Sequence, residues 1–344
     1  MIKLKVFVIL VFFLTGFSTG SNPNSRGSLD EFPVLEGPYL GQKPPGLKPE
    51  LFAPGIVTTA MYCRDTAITP DGKEIYFCTA VGAYATILVT KEINGRWTRP
   101  EVAPHMENPD RMNWEPCISP DGKKFFFLSY LSDSGDGKTV GNQDIWVMDR
   151  TDRGWGKPYN LGPPVNTEES EFFPSVTRDG TLYFSRAVKD SLIAFIYRSR
   201  LENGKYTEPE KLPARVNSGE SQYNAFVAPD ESYLIVSVTG RTDSFGGTDY
   251  YIVFRDAQDN WSEPVNMGDS INTPGDDEYS PYVSPDGKYF FFMSSRTQPD
   301  EMKPAKLSYD FFRMIYNKPQ NGNSDIYWMD ASIIDNLRPK KAFK

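Results

Sequence analysis

Three observations predict an all-β fold built from one unit written five times. First, the phrase Thr69-Pro70-Asp71-Gly72-Lys73 returns as Ser119-Pro120-Asp121-Gly122-Lys123 and Ser284-Pro285-Asp286-Gly287-Lys288, with altered copies at Thr177-Arg178-Asp179-Gly180-Thr181 and Ala228-Pro229-Asp230-Glu231-Ser232. Second, each copy precedes a dense run of aromatic and β-branched residues, such as Lys124-Phe125-Phe126-Phe127-Leu128 and Tyr289-Phe290-Phe291-Phe292-Met293. Third, the copies lie about 50 to 58 residues apart, a period that suits propeller blades. Together they predict a five-bladed β-propeller of four-stranded antiparallel blades.

Within a unit, a short segment such as Trp114-Glu115-Pro116-Cys117-Ile118 or Tyr279-Ser280-Pro281-Tyr282-Val283 is the innermost strand. The Asp-Gly pair turns the chain, since Gly takes positive φ at little cost and Asp bonds the backbone ahead of it. The aromatic run is the second strand, buried on both faces. The third strand reads Asp144-Ile145-Trp146-Val147-Met148, Phe195-Ile196-Tyr197-Arg198, Asp249-Tyr250-Tyr251-Ile252-Val253 and Asp325-Ile326-Tyr327-Trp328-Met329, with a weaker copy at Thr86-Ile87-Leu88-Val89. An aromatic-x-x-Pro segment follows at Trp97, Trp155, Tyr206 and Trp261, and proline places it on an outer edge.

Only four such outer segments accompany five Asp-Gly units. The fifth is expected from the other end of the chain, where Pro49-Glu50-Leu51-Phe52-Ala53-Pro54 is similar in type. Pairing the chain ends in the last blade closes the ring and removes a sheet edge. The competing expectation gives that strand to Ile333-Ile334-Asp335-Asn336-Leu337 and starts a sixth, partial blade at the N-terminus.

The repeated Ser-Pro-Asp-Gly-Lys turn before an aromatic strand resembles the TolB-type, WD40-like β-propeller repeat family over about residues 49 to 330. The phrases Leu161-Gly162 with Val165-Asn166-Thr167, and Met267-Gly268 with Ile271-Asn272-Thr273, resemble its exported bacterial branch. The resemblance implies a propeller and an exported location, and no single activity. Units three and four depart from the turn consensus at Arg178 and Glu231.

The N-terminus reads independently as a secretory signal over residues 1–20: Lys3 and Lys5, an apolar stretch from Val6 to Leu14, then small residues. That stretch is too short for a membrane span. Residues 21–47 are an irregular lead-in, and 48–344 form one propeller domain. The predicted location is periplasmic or secreted, with no transmembrane segment in the mature chain. The formal charge of −8 argues against a nucleic-acid partner. Cys63, Cys78 and Cys117 show no CxxC spacing; Cys63 and Cys78 flank the first hairpin, where a disulfide and two buried thiols are both open readings.

The single histidine, His105, excludes a histidine metal cluster, and no nucleophile elbow or phosphate loop is present. Carboxylates remain. Asp65, Glu115, Glu171 and Glu278 recur where the chain enters the innermost strand, and such loops converge at one mouth of a propeller channel. They cap loops, or bind a ligand or metal, with Glu115 and Glu278 as ligand-binding candidates, or else Asp65, Glu115 and Glu171 serve a glycosidase-like, carbohydrate-active enzyme. Trp114, Phe172, Tyr223 and Tyr279 hold equivalent places in four units, with Arg64 in the first; they pack blade to blade, or stack on a sugar or peptide.

Two insertions break the repeat. The segment at 132–138 carries Asp133 and Asp136, a weak calcium candidate lacking the EF-hand pattern. The longer one, about 297–323, contains Tyr309-Asp310-Phe311-Phe312-Arg313-Met314-Ile315-Tyr316. The expected function is that of an exported non-catalytic binding or assembly module without a resident cofactor. It would present a protein or glycan with the channel mouth or the 297–323 insertion. The carbohydrate-active enzyme is the alternative.

Overall fold

The computed structural model describes residues 32–130, 142–274, 277–297 and 304–340. The predicted signal at 1–20 and the calcium candidates Asp133 and Asp136 lie outside the described residues. Five antiparallel sheets form a five-bladed propeller, as the repeats predict. Blade one comprises Tyr62–Ile68, Glu74–Val81, Tyr84–Ile93 and Glu101–Val102. Blade two comprises Asn113–Ile118, Lys124–Ser129, Asp144–Thr151 and Tyr159–Asn160. The third has Glu171–Val176, Leu182–Ala187, Ala194–Ser199 and Glu210–Lys211; the fourth has Ser221–Val227, Tyr233–Thr239, Thr248–Phe254 and Val265–Asn266.

Blade five takes Tyr282–Val283, Tyr289–Ser294 and Asp325–Asp330 from the C-terminal region and its outer strand, Glu50–Leu51, from the N-terminal one. Glu50 stands opposite Trp328 and Leu51 opposite Tyr327. The ring is thus closed by the N-terminal segment, and the six-blade alternative falls. Residues 333–337 are helical instead, within a short helix over Ser332–Leu337, whose Ile334 is buried against blades four and five.

The outer strands differ from expectation in one detail. The aromatic residue sits in a hairpin with the end of the third strand, as Trp155 does opposite Arg150, and the two-residue outer strand begins only after the proline. Proline cannot donate to the ladder, so pairing resumes beyond it. Trp97, Trp155 and Trp261 are buried where they stand.

The triple-aromatic runs explain how the blades stack. Phe125 and Phe127 pack with Tyr76 and Cys78 of blade one, while Phe126 packs with Leu182 and Phe184 of blade three. Phe290 and Phe292 pack on blade four, and Phe291 on blade one. Alternate side chains point to opposite faces of a strand, so a strand between two neighbours must be apolar on both. The core is therefore five inter-blade layers. Lead-in residues join one of them: Leu40 is buried beside Phe52, Phe291 and Trp328.

The same face rule settles the cysteines. Cys63 stands opposite Thr79, and Arg64 opposite Cys78, so the two sulfurs lie on opposite faces of the hairpin. Cys63 packs in the layer between blades five and one, and Cys78 in the layer between one and two. All three cysteines are free thiols. Burial pushes Cys63 up to about 11 and Cys117 up to about 12, so neither is a reactive thiolate.

The repeated Asp is a turn residue in every blade. Asp71 accepts from Thr69 Oγ1 at 2.6 Å and from the Lys73 amide at 3.1 Å, and Gly72 has φ +73°. Asp121, Asp179 and Asp286 repeat the pattern. Unit four puts Glu231 in the glycine place at φ +58°. Its carboxylate accepts from Tyr183 Oη at 2.7 Å in blade three and from Arg255 Nη1 at 2.8 Å. A tie between blades offsets the backbone strain. Glu231→Gly should therefore lower stability by about 1–2 kcal/mol despite relieving positive φ; a urea titration showing a gain would refute the tie.

Candidate functional site

Four of the five first strands carry the same irregularity. The register slips between Arg64 and Thr66, Trp114 and Cys117, Phe172 and Ser175, and Tyr223 and Phe226. One residue in each bulge is left-handed: Asp65 (φ +55°), Glu115 (+58°), Phe173 (+51°) and Asn224 (+51°), with Ser280 (+68°) in the same place in blade five. Bulges re-aim side chains near sites. Here they sort the strand-one residues into three rings.

The residues just before the bulge, Arg64, Trp114, Phe172, Tyr223 and Tyr279, all line one open cavity of about 520 Å³ at the channel mouth. The expectation that they come together is met in space. Arg64 lies with Cζ 4.6 Å above the Trp114 ring and 5.4 Å above that of Tyr279. Tyr62 stands edge-on to Trp114, and its hydroxyl bonds that of Tyr279. Tyr223 packs against Tyr279 and bonds Thr248 Oγ1 at 2.8 Å. Glu115 also lines the cavity, as do Tyr130, Gln143, Ser170 and the fully exposed Leu192; these last four were not among the sequence candidates, because they come from loops outside the repeat.

The four acids do not form one set. Asp65 and Glu115 occupy the bulge, whereas Glu171 and Glu278 lie two positions earlier. Glu171 accepts from the Thr167 amide at 2.9 Å, Thr167 Oγ1 at 2.6 Å and Arg186 Nε at 2.7 Å. Glu278 accepts from Thr273 Oγ1 at 2.6 Å, the Thr273 amide at 3.3 Å and Ser294 Oγ at 3.0 Å. Both therefore hold the inter-blade loops, and neither lines the mouth cavity. Burial pushes Glu278 up to about 7 and raises Glu171, with the threonine bonds opposing in each case.

Asp65 and Glu115 link blades one, two and three. The Glu115 amide donates to Asp65 Oδ2 at 3.2 Å, and the Phe173 amide donates to Glu115 Oε2 at 2.7 Å. Arg64 joins them, with Nε 3.2 Å from Asp65 Oδ2 and Nη2 3.1 Å from Glu115 Oε1. Both carboxylates are buried, their side chains only 2% and 4% exposed. Burial raises Glu115; Asp65 adds to the rise and Arg64 opposes it. One guanidinium thus serves two carboxylates inside the channel, and each carboxylate also accepts a backbone amide. Of the three carboxylates of the enzyme alternative, Glu115 lines the mouth cavity, Asp65 is bonded to the Glu115 amide, and Glu171 is bonded to its inter-blade loop. No group of three or more His, Cys, Asp or Glu suited to a metal occurs among the described residues. His105 lies 3.3 Å from the Trp155 carbonyl in its loop, away from the mouth.

No protein-family model matches the chain, and no curated protein matches it in sequence. Among solved structures it is similar to TolB from Acinetobacter baumannii (16% identity, TM-score 0.45, over 78% of this chain and 57% of that one). It is similar to the native arabinanase of Bacillus subtilis (14%, 0.43, over 78% and 94%). A third likeness is to a GH43 protein of Bacillus licheniformis (11%, 0.45, over 83% and 57%). The matched region therefore spans little more than half of the TolB and GH43 chains. At these identities and scores the likenesses concern architecture and carry nothing about activity.

Proposed function

We propose that this chain is an exported, non-catalytic β-propeller that binds a protein segment or a glycan at the channel mouth. One observation carries the reading: the mouth exposes aromatic faces and leaves its acids committed to structure. Trp114, Phe172, Tyr223 and Tyr279 are partly exposed around a cavity large enough for a few sugar rings or a short peptide. Aromatic faces stack on apolar ligand surfaces with little entropy loss, because each ring has only two rotatable bonds. Asp65 and Glu115 are held by amides and by Arg64, so a hydrolytic acid–base pair would have to leave bonds that join three blades.

The test is a thermal-shift and calorimetric screen against oligosaccharides, peptidoglycan fragments and extended peptides. A ligand present at 100 times its dissociation constant should stabilise the protein by about 2.7 kcal/mol. Trp114→Ala with Phe172→Ala should weaken that ligand by at least about tenfold, since stacked aromatic contacts contribute about 1 kcal/mol or more each. Glu171→Gln should leave binding intact. Turnover of any glycoside that is abolished by Glu115→Gln would overturn the reading in favour of an enzyme.

A further inference from the structure

The insertion of blade five forms a second surface, distinct from the channel mouth. Its helix α1 spans Tyr309–Tyr316. Ser308 caps it, accepting the Phe311 amide at 3.1 Å, and the Asn317 amide closes the other end. None of its residues is buried, and none belongs to any of the five inter-blade layers. Eight residues cannot sustain a helix in water unaided, so a helix this short and this apolar calls for a covering surface.

Its outer face has a definite chemistry. Tyr309, Phe312 and Tyr316 follow the i, i+3, i+7 spacing that makes one stripe, and they are 76%, 51% and 73% exposed. Leu307, 67% exposed, extends the stripe before the cap. Phe311 and Ile315 are the better covered residues and take the inner side. Cations border the stripe: Lys306, Arg313 and Lys318 stand against Asp310 over residues 304–320, in a chain whose formal charge is −8. The Arg313 guanidinium lies 5.9 Å above the Tyr309 ring. Tyrosine and phenylalanine on one face with arginine and lysine beside them are suited to the headgroup region of a bilayer. Amphipathic rings lie there at the apolar boundary, and cations meet anionic lipid.

We propose that α1 docks the protein on an anionic lipid surface. The charge contrast selects lipid over a second copy: an acidic molecule keeps its local excess of cations beside its most exposed aromatic residues, where they would meet anionic headgroups. The insertion is also rooted on the mouth side. Asn321 and Asn323 donate to the Ala60 carbonyl at 3.1 and 2.9 Å, immediately before the strand that carries Tyr62 and Arg64. A docked molecule would turn its channel mouth toward the bilayer.

The experiment is co-sedimentation of the purified protein with vesicles of phosphatidylglycerol and phosphatidylethanolamine, compared with phosphatidylcholine alone. The expected result is partition at least about tenfold stronger on the anionic vesicles, weakening at high salt. Reversing the cations (K306E, R313E, K318E) should lower it by about fivefold per charge or more. Removing the stripe (Y309S, F312S, Y316S) should abolish it at either salt. All these positions are exposed, so both variants should melt with the parent protein. Absence of partition on phosphatidylglycerol, or partition that neither variant alters, would overturn the proposal. So would a concentration-dependent dimer that the stripe variant dissolves, which would assign the face to a second copy.

Discussion

Replacing Arg64 with methionine should lower the unfolding free energy by about 3–5 kcal/mol at pH 7.5, because it leaves buried Asp65 without its cation and drives Glu115 to take up a proton. Asp65 and Glu115 have no other cation within ion-pair distance among the described residues, and amide donors alone do not offset a buried charge. The loss should shrink at pH 5, where Glu115 can take up a proton. Adding Glu115→Gln to Arg64→Met should recover part of it, giving a coupling energy well above 0.5 kcal/mol in a double-mutant cycle. A single variant within 0.5 kcal/mol of the parent by urea unfolding would show that the channel carboxylates do not depend on Arg64. Ligand affinity and fold are then separable: Arg64→Met acts on stability first, and Trp114→Ala on binding.

A second large effect is the pH dependence of folding. Glu278 and Asp325 are fully buried, and burial pushes each up to about 7, with the Thr273 bonds opposing at Glu278 and the Gln320 amide opposing at Asp325. In the unfolded chain both titrate near 4. Between these values the folded state binds more protons, so stability falls as pH rises. The contribution is full below about pH 4 and lost once pH passes about 7. Its ceiling is about 4 kcal/mol for each group at 1.4 kcal/mol per pH unit. The turn aspartates act in the opposite sense. Burial, the largest single effect, acts to raise Asp71, Asp121, Asp179 and Asp286, but the hydrogen bonds from Thr69, Ser119, Thr177 and Ser284 together with the backbone amides outweigh it and hold them low, and what these bonds contribute is lost below about pH 4. Stability should peak in mildly acidic solution and decline by several kcal/mol toward pH 8. Glu278→Gln and Asp325→Asn should flatten that decline. A midpoint that climbs steadily from pH 5 to 8 would contradict the assignment.

The turns were legible in the sequence because their chemistry is local. Asp71 and Gly72 need nothing beyond residues 69–74 to form the bonds observed, and the same holds in the other units. The five aromatic runs were legible for a similar reason, since a strand buried on both faces must be apolar throughout. Counting outer segments even located the closing strand at Glu50–Leu51. The region 333–337 kept a sixth blade open as the alternative, because a short apolar run fits helix and strand alike.

The candidate site was legible only in outline. The ring of Arg64, Trp114, Phe172, Tyr223 and Tyr279 followed from equivalent places in the repeat, and it is what lines the mouth. The four acids share one description along the sequence, yet Asp65 and Glu115 differ by two positions from Glu171 and Glu278. A one-residue bulge decides which side chain faces the channel, and its place depends on pairing with the next strand. Facing direction likewise separated Cys63 from Cys78.

By itself, the sequence determined the repeat unit, its turns and its aromatic strands, because these depend on short-range chemistry repeated five times, and it favoured five blades closed by the N-terminal segment over six. Only the tertiary structure decided which carboxylates are bonded between blades, which rings stay open at the mouth, and that α1 stands uncovered. Those properties belong to contacts between units distant along the chain, and no local pattern of residues encodes them.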